Sequence, residues 1–599
     1  MRRLRNGQEF IHWLEIGGGA RWVQLGAILA ATLALSFLVA WKQFHGPTSE
    51  STLVQADMGR QLARGAGFTT LVNYPQTAAV LALRGVRFDS REPYPELHHG
   101  PLYSLVIAGG LRLLPASFRA GLFEGAPVPP DGFGGDYFLL GLNGLLLWLA
   151  AALTYVLGKR LFDAKVGWLA MLGLLLSVPV WQATVAVNGT PLVMVLVLLA
   201  FLIWHHIERG AESGQGVGPL APCWVALGMM VGGLFLTEYA WGALLLVVLG
   251  YARVRFRGAT AVWSSAAVVL GFLVVSGPWV YRNVALTGHP VALAAQEVAL
   301  KSGDPTAEPA TFRTTLGADR PALNLRKLMN KTLTVFQENL QARIWSGGAM
   351  GFTAFFVAGW LYSFRSAATN RLRWIFTLVL GVLLIAQAAL NSGETERPVS
   401  VGLVPLLLIF GAGFFFVLLG SNARLLQWPR LAMTVLLTIH AAPLVHDLLE
   451  PRRLHFHYPP YFPALFQGMR QEMGRRDPTG SFGLMADVPA GLAWYGDVRA
   501  WAQPPRLRDF YAITLEQSIG QLLLTPRTLD RPFFSQLNAR PILPGTLAAL
   551  PDRFGEWGEI YAGLLNGTVP REFPLTRPQK LAENLYVLIN PAWPAPVTK

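Results

Sequence analysis

Cysteine is nearly absent. Cys223 is the only one in 599 residues, so the chain can form no internal disulfide and no thiolate metal cluster. Any exported domain in it folds by packing alone. Charge is scarce too: Asp, Glu, Lys and Arg make up 14% of the residues, against about a quarter in a soluble protein. There is no repeat of about 20–50 residues and no low-complexity stretch. The net charge of +14 is not gathered on a basic face with base-stacking aromatics, which excludes nucleic acid as a partner.

What fills the chain is apolar. Hydrophobic residues are 52% of it, with 34 Phe and 19 Trp, a composition suited to lipid as solvent and to membrane interfaces. Apolar runs long enough to span, or nearly so, lie near 23–41, 100–115, 137–158, 166–187, 189–207, 222–250, 259–281, 347–364, 374–391, 399–419 and 431–447. The first is too long for a signal-peptide core and follows the basic Met1 to Arg5, so the N-terminus is expected in the cytoplasm. Alternate counting then leaves Arg253, Arg255 and Arg257 inside, followed by Arg365, Arg371 and Arg373, then Arg424 and Arg430. That is the positive-inside pattern. Lys159 and Arg160 fall outside, a violation in a very short loop, and the short second run contains Arg112.

The expectation is a polytopic α-helical membrane protein of about eleven transmembrane helices over residues 1–447. Its first outer loop is 42–99, a second runs from Arg282 to Trp345, and the tail 448–599 forms a small extracytoplasmic α/β domain. In that tail Phe482 to Ala486 and Leu585 to Ile589 read as short buried strands. Between them, Ala500 to Leu507 and Leu537 to Pro551 read as Pro-containing connections around short helical pieces. The tail has no metal-ligand spacing and no nucleophile motif.

Four places carry groups capable of chemistry. Asp57 opens a helical stretch that Gly65 and Gly67 stop; it reads either as a helix N-cap or as a carboxylate held just outside the membrane. Glu96, His98 and His99 precede Pro101, where protonated histidines could bind phosphate. Adjacent histidines rarely point the same way, so a single metal held by both is not expected. Arg397, in Glu394-Thr395-Glu396-Arg397-Pro398, could fork onto a lipid phosphate or pair with its neighbouring acids. Glu238 is an acid within a span, which is functional by default.

The order of these motifs resembles that of the GT-C glycosyltransferases, the superfamily that includes protein O-mannosyltransferases and lipid A aminoarabinose transferases. The likeness runs over roughly residues 20–420: a span; a loop with an Asp and a helix ending in glycines (Asp57 to Phe68); then His98-His99-Gly100-Pro101-Leu102-Tyr103. Gly158-Lys159-Arg160-Leu161-Phe162 follows, then Pro278-Trp279 with Arg282-Asn283, Gly288 and Pro290, and finally Glu396-Arg397 before a span with Pro405. Two departures stand out. Met58 follows Asp57 where many members have a second acid, which weakens any metal site built on adjacent acids. Gly100 replaces a proline.

The resemblance implies a sugar donor on a polyprenyl phosphate, presented at the outer face of a bacterial inner (cytoplasmic) membrane, and a lipid, glycan or protein acceptor. It implies Asp57 as the general base taking the acceptor's proton, with His98, His99, Glu96 and Arg397 at the donor phosphate or substrate. Arg282 and Asn283 look structural. No cofactor is required, though a divalent metal is possible in the family. The alternatives are a transporter or flippase of lipid-linked sugars, and a non-catalytic GT-C relative.

Overall fold

The computed structural model describes residues 18–47, 49–86, 92–124, 132–214, 217–303, 313, 316, 323–343, 350–390, 399–421, 427–451, 463–478, 480–504, 506–525, 560, 563–564, 566–582 and 585–594. In chain order its helices include α1 (Gly18–Gln43), α2 (Glu50–Arg64), α3 (Pro75–Leu83), α4 (Leu102–Leu113), α5 (Gly134–Leu161), α6 (Ala164–Leu175), α7 (Val178–Val185) and α8 (Thr190–Glu212). These are followed by α9 (Val217–Thr237), α10 (Leu244–Arg255), α11 (Ala259–Thr287), α12 (Ala367–Leu390), α13 (Val404–Ser421), α14 (Pro429–Leu449), α15 (Pro489–Gly496) and α16 (Leu507–Glu516).

Among the described residues, eight helices are long and apolar enough to cross a membrane: α1, α5, α8, α9, α11, α12, α13 and α14. The pair α6 and α7, bent by 54°, makes a ninth crossing if taken together. In lipid the helices gain little from leaving water, so close backbone approach holds them together. Glycine supplies it. A Cβ on Gly271 of α11 would strike the Val225 carbonyl of α9, and one on Gly228 would strike the Val268 carbonyl in return. Gly158 and Gly167 meet in the same way between α5 and α6. Large rings fill the remaining space, with Trp204, Trp224 and Phe352 fully buried and Phe376 stacked on Phe410 at 5.7 Å.

The bundle has two distinct ends. At one, the buried Glu208 carboxylate pairs with Arg371 (2.7 Å) and Arg255 (3.5 Å). At the other, Asn143 accepts from Tyr103 Oη and donates to the Asn188 carbonyl (both 2.9 Å), and the tail packs there.

Two of the expected spans are redrawn. The run 100–115 gives no helix of spanning length. Helix α4 has 12 residues, about 18 Å at the usual rise and short of a bilayer of about 30 Å. It lies along α2 instead: Ser104 Oγ donates to the Gln55 carbonyl (2.7 Å), Ile107 fills the place of a Cβ on Gly59, and Arg112 Nη2 donates to the Leu62 carbonyl (2.6 Å). Its apolar face, with Ile107 and Leu111, joins a core that also holds Trp494 and Tyr495 of the tail.

The run 222–250 is two helices, not one. Helix α9 ends at Thr237 beside Gly189, near the Asn143 end. The chain turns through the 3-10 helix Tyr239–Ala243, and α10 returns to place Arg255 on Glu208. Glu238 sits at this turn between the two helices, half-buried.

The tail forms a sheet, and the first loop completes it. The strands are β1 (Thr69–Thr70), β2 (Val72–Asn73), β3 (Tyr94–Pro95), β4 (Gly483–Ala486), β5 (Ala500–Ala502), β6 (Ile519–Leu524), β7 (Arg577–Ala582) and β8 (Leu585–Ile589). Strands β4 and β8 fall where short apolar runs placed them. Residues 500–502, expected in a connection, are a buried strand, and 537–551 lie outside the described residues. The six-stranded order is β2-β5-β4-β6-β8-β7. Strand β2 runs parallel to β5, with Val72 opposite Ala500 and Asn73 opposite Trp501. At the other edge every residue of β7 is exposed, and Arg577, Pro578 and Lys580 keep that edge from pairing with another chain.

Candidate functional site

The first loop is built on α2. Ser49 caps it, its Oγ accepting from Thr52 N (3.2 Å), and Gly65 ends it in the left-handed conformation at φ 87°. Asp57 is therefore mid-helix and not an N-cap. It is 0% exposed, and both its oxygens are filled. Oδ1 accepts from Arg60 Nη2 (2.8 Å) and Gln61 Nε2 (3.3 Å); Oδ2 accepts from Leu71 N (2.7 Å) and Thr70 Oγ1 (3.0 Å). This carboxylate ties α2 to the strands that follow it.

Arg60 carries the tie onward. Its guanidinium donates to the carbonyls of Trp494 and Ala493 and lies 5.2 Å from the rings of both Phe123 and Trp494. Arg64 forks onto Asp497 at 2.7 and 2.9 Å. From the bundle side, Asp136 accepts from Trp494 Nε1 (2.8 Å) and Tyr495 Oη (2.9 Å). Helix α15 is thus gripped by α2 and by α5.

The second group of expected residues does come together. Strands β1 and β3 pair Thr70 with Tyr94, and Arg282 donates to the carbonyls of Glu96 and Phe68 (3.1 Å each), with its guanidinium 4.5 Å from the Trp279 ring. That is the structural part anticipated for Arg282. Asn283 has one as well, donating to the Pro290 carbonyl (3.1 Å). So fixed, Glu96 turns Oε1 onto the chain ahead of it. It accepts there from His98 N (2.7 Å), His99 N (3.0 Å) and His99 Nδ1 (2.9 Å).

Glu96, His98 and His99 are 1%, 4% and 8% exposed. Burial alone would raise the Glu96 pKa, but His99, His98 and Arg313 outweigh it and hold the carboxyl at about 2. His99 is pushed down, first by burial and then by Arg313, against the pull of Glu96. Glu96 is thus an ionised carboxylate whose Oε1 takes three donors, His99 Nδ1 among them. His99 Nε2 and Glu96 Oε2 are buried without a hydrogen-bond partner among the described residues, as are Gln76 Oε1 and Asn73 Oδ1. Folded proteins leave few such atoms, and these four lie within residues 73–99.

The two histidines part company, their rings 6.5 Å apart and tilted by 59°. His98 meets the Tyr74 ring edge-on at 5.3 Å. Tyr74 donates to Glu50 Oε1 (2.7 Å), and Arg313 lies 5.9 Å from its ring. Burial and the Glu50 charge push the Tyr74 hydroxyl well above its ordinary pKa. Among the described residues no three His, Cys, Asp or Glu side chains are grouped to hold a metal. Asp57 and Glu96 Oε1 are filled by N–H and O–H donors, which does not fit a cation. Arg397 lies outside the described residues.

Sequence reading missed Glu50, Tyr74 and Arg313. Glu50 follows the Ser49 cap and was open to recognition as a helix start. Arg313 falls in a loop with no periodicity to place it.

No family model matches the chain, and no curated protein does. Solved structures do. ArnT from Cupriavidus metallidurans, in a structure bound to undecaprenyl phosphate, superposes with a TM-score of 0.50 at 14% identity, covering 95% of this chain and 98% of that one. The Archaeoglobus fulgidus oligosaccharyltransferase in its apo form gives 0.50 at 10% identity, covering 85% of this chain and 71% of that one. At such identities the likeness is one of fold. The chain shares its fold with these two proteins.

Proposed function

We propose that the protein is a membrane glycosyltransferase that moves a sugar from a polyprenyl-phosphate donor to a hydroxyl of a lipid, glycan or protein acceptor. The observation that carries this reading is the grouping of Glu96, His98 and His99 with Arg313 and Tyr74, between the bundle and the tail sheet. A donor phosphate there finds a guanidinium in Arg313, with Arg397 as a second cation from the outer loop. Charge developing on the leaving phosphate is what such groups stabilise.

In this reading Asp57 does not meet the acceptor, because a base needs a lone pair within reach of the proton it takes. Asp57 is a positioning residue that keeps α2 and the strands in register. The site faces away from the cytoplasm. The end opposite to it holds Arg160, Arg255 and Arg371, and basic residues stay on the cytoplasmic side. A transporter would keep an acid at mid-membrane; Glu238, the candidate for that part, is at a turn.

The test is release of polyprenyl phosphate by purified protein from a panel of polyprenyl-phosphate sugars, with a membrane extract supplying acceptors. Release dependent on acceptor is expected. Transport of intact donor without release would favour the flippase alternative. Asp57→Asn should lower thermal stability more than it lowers turnover of the folded fraction.

A further inference from the structure

We propose that the helix Leu325–Glu338, in the outer loop after α11, is a lipid-seated anchor. Its exposed apolar ridge lies in the outer leaflet of the bilayer, at the level of the phospholipid headgroups and upper acyl chains. Nothing in this depends on the reaction, so it stands apart from the transferase reading.

The helix divides into three stripes. Asn324 caps it, its Oδ1 accepting from Lys327 N (3.1 Å). At about 3.6 residues per turn, Lys331, Val335 and Phe336 share a stripe turned to the protein. Lys331 and Val335 are buried, and Phe336 packs against the bundle core. Leu325, Met329 and Leu333 form the second stripe, and they are 71%, 59% and 60% exposed. Leu323 before the helix and Leu340 after it are exposed as well. Arg326, Asn330, Thr334 and Gln337 make the third stripe, all exposed. A surface helix needs one apolar stripe, for its own core. This one has two, and large apolar side chains left side by side mark an interaction surface.

What covers the ridge follows from where the helix is tied. Lys331 Nζ donates to the Ala389 carbonyl (3.2 Å), in the last turn of α12. Arg371, near the start of α12, pairs with Glu208 at the end read as cytoplasmic. Ala389 is therefore where α12 leaves the membrane on the outer side. Trp374, Leu378 and Ile385 are exposed along one side of α12, the face that a spanning helix shows to lipid, and they stop about one turn short of Ala389. The outer helix thus crosses α12 at the depth where its lipid-facing surface ends. An amphipathic helix at that depth sinks its apolar side into the boundary of headgroups and acyl chains. Arg326 flanks the ridge and supplies a cation for a phospholipid phosphate.

The experiment uses the full-length protein in nanodiscs of phosphatidylethanolamine and phosphatidylglycerol. With Cys223→Ala as background, Met329→Cys, Leu333→Cys, Asn330→Cys and Thr334→Cys are each labelled with a small fluorophore. Quenching by a lipid nitroxide near the headgroups should be severalfold stronger at positions 329 and 333 than at 330 and 334. Quenching by aqueous iodide should run in the reverse order. A nitroxide at the acyl chain ends should quench all four weakly, because the helix lies along the boundary and does not cross. A label on Leu325→Cys should lose its lipid quenching and gain iodide quenching when Met329→Glu and Leu333→Glu are added.

Equal iodide quenching at the four positions would put the ridge in water and overturn the proposal. So would shielding of positions 329 and 333 from both quenchers, because protein, of this chain or of a second copy, would then cover the ridge. All four labels sit at exposed positions, so this comparison stands without the charged variant.

Discussion

Arg60 is 2% exposed and its partner Asp57 is 0% exposed, which makes the pair a matter of all or nothing. Removing one member of a buried ion pair strands the other and costs about 3–5 kcal/mol. Arg60→Met should therefore lower the melting temperature sharply and open the Trp494 segment to limited proteolysis. Arg64 on the same helix is 45% exposed, and its bond to Asp497 is screened by water. Arg64→Ala should cost below about 1 kcal/mol by the same melt. The sequence displayed Asp57 as a helix residue beside glycines but not what surrounds it. Two of the four donors to its oxygens, Thr70 and Leu71, are fixed by the turn into β1 and β2, and the carbonyls that Arg60 reaches come from more than 400 residues away. By contrast Glu96, His98 and His99 were legible as a group, because their contacts are local: a carboxylate two and three residues ahead of the N–H groups it accepts from.

Among the elements, most spans read from hydropathy meet helices long and apolar enough to cross; the readings differ at α4 and at residues 222–250, and 347–364 is met only by the short apolar helix Gly351–Leu361. Hydropathy measures how poorly a segment tolerates water; it does not say whether lipid or protein replaces the water. One face of α4, with Tyr103, Ile107, Ala108 and Leu111, is apolar because it is buried against protein, while Leu105 and Leu113 are exposed. The second error merged two helices, because the break at Glu238-Tyr239 is a single polar position with apolar residues on both sides. Gly100, read from sequence as a looser turn, has a firmer reason: a Cβ there would collide with the Leu236 carbonyl at that same break. The α9–α11 crossing depends on glycine even more. Gly271→Leu should force the two helices apart at a cost of about 1–3 kcal/mol, visible as a lower melting temperature in detergent. An alanine at Gly277 of α11, which has open space around it, should have a far smaller effect.

For the whole molecule, the redrawing of α4 has a use. With α4 left out of the count of crossings, α5 carries Lys159 and Arg160 to the end that holds Glu208, where Arg160 comes close to His205. The one violation of the positive-inside pattern disappears. Arginine side chains at that end, and the tail at the other, give a labelling experiment. A cysteine at Lys165, exposed beside the α6 cap, should react with an impermeant thiol reagent only after the membrane is opened. One at Lys580 on the exposed strand β7 should react in intact cells. The reverse pattern would invert the topology. The overall class was plain from composition, since scarce charge and long apolar runs leave few alternatives. That the first loop and the tail share one sheet was not, because a two-residue strand carries no periodicity.

The pairing of β2 with β5 has a consequence for biogenesis. Val72 leaves the ribosome early and Ala500 late, with nearly the whole membrane bundle made between them. Contacts so distant in sequence form last. Until the tail is made and folded, α2 lacks the carbonyls that Arg60 seeks and β2 lacks its partner β5. A chain stalled or truncated in its final quarter would thus insert in the membrane and yet hold its first loop unassembled. Activity would then report that synthesis had run to the end.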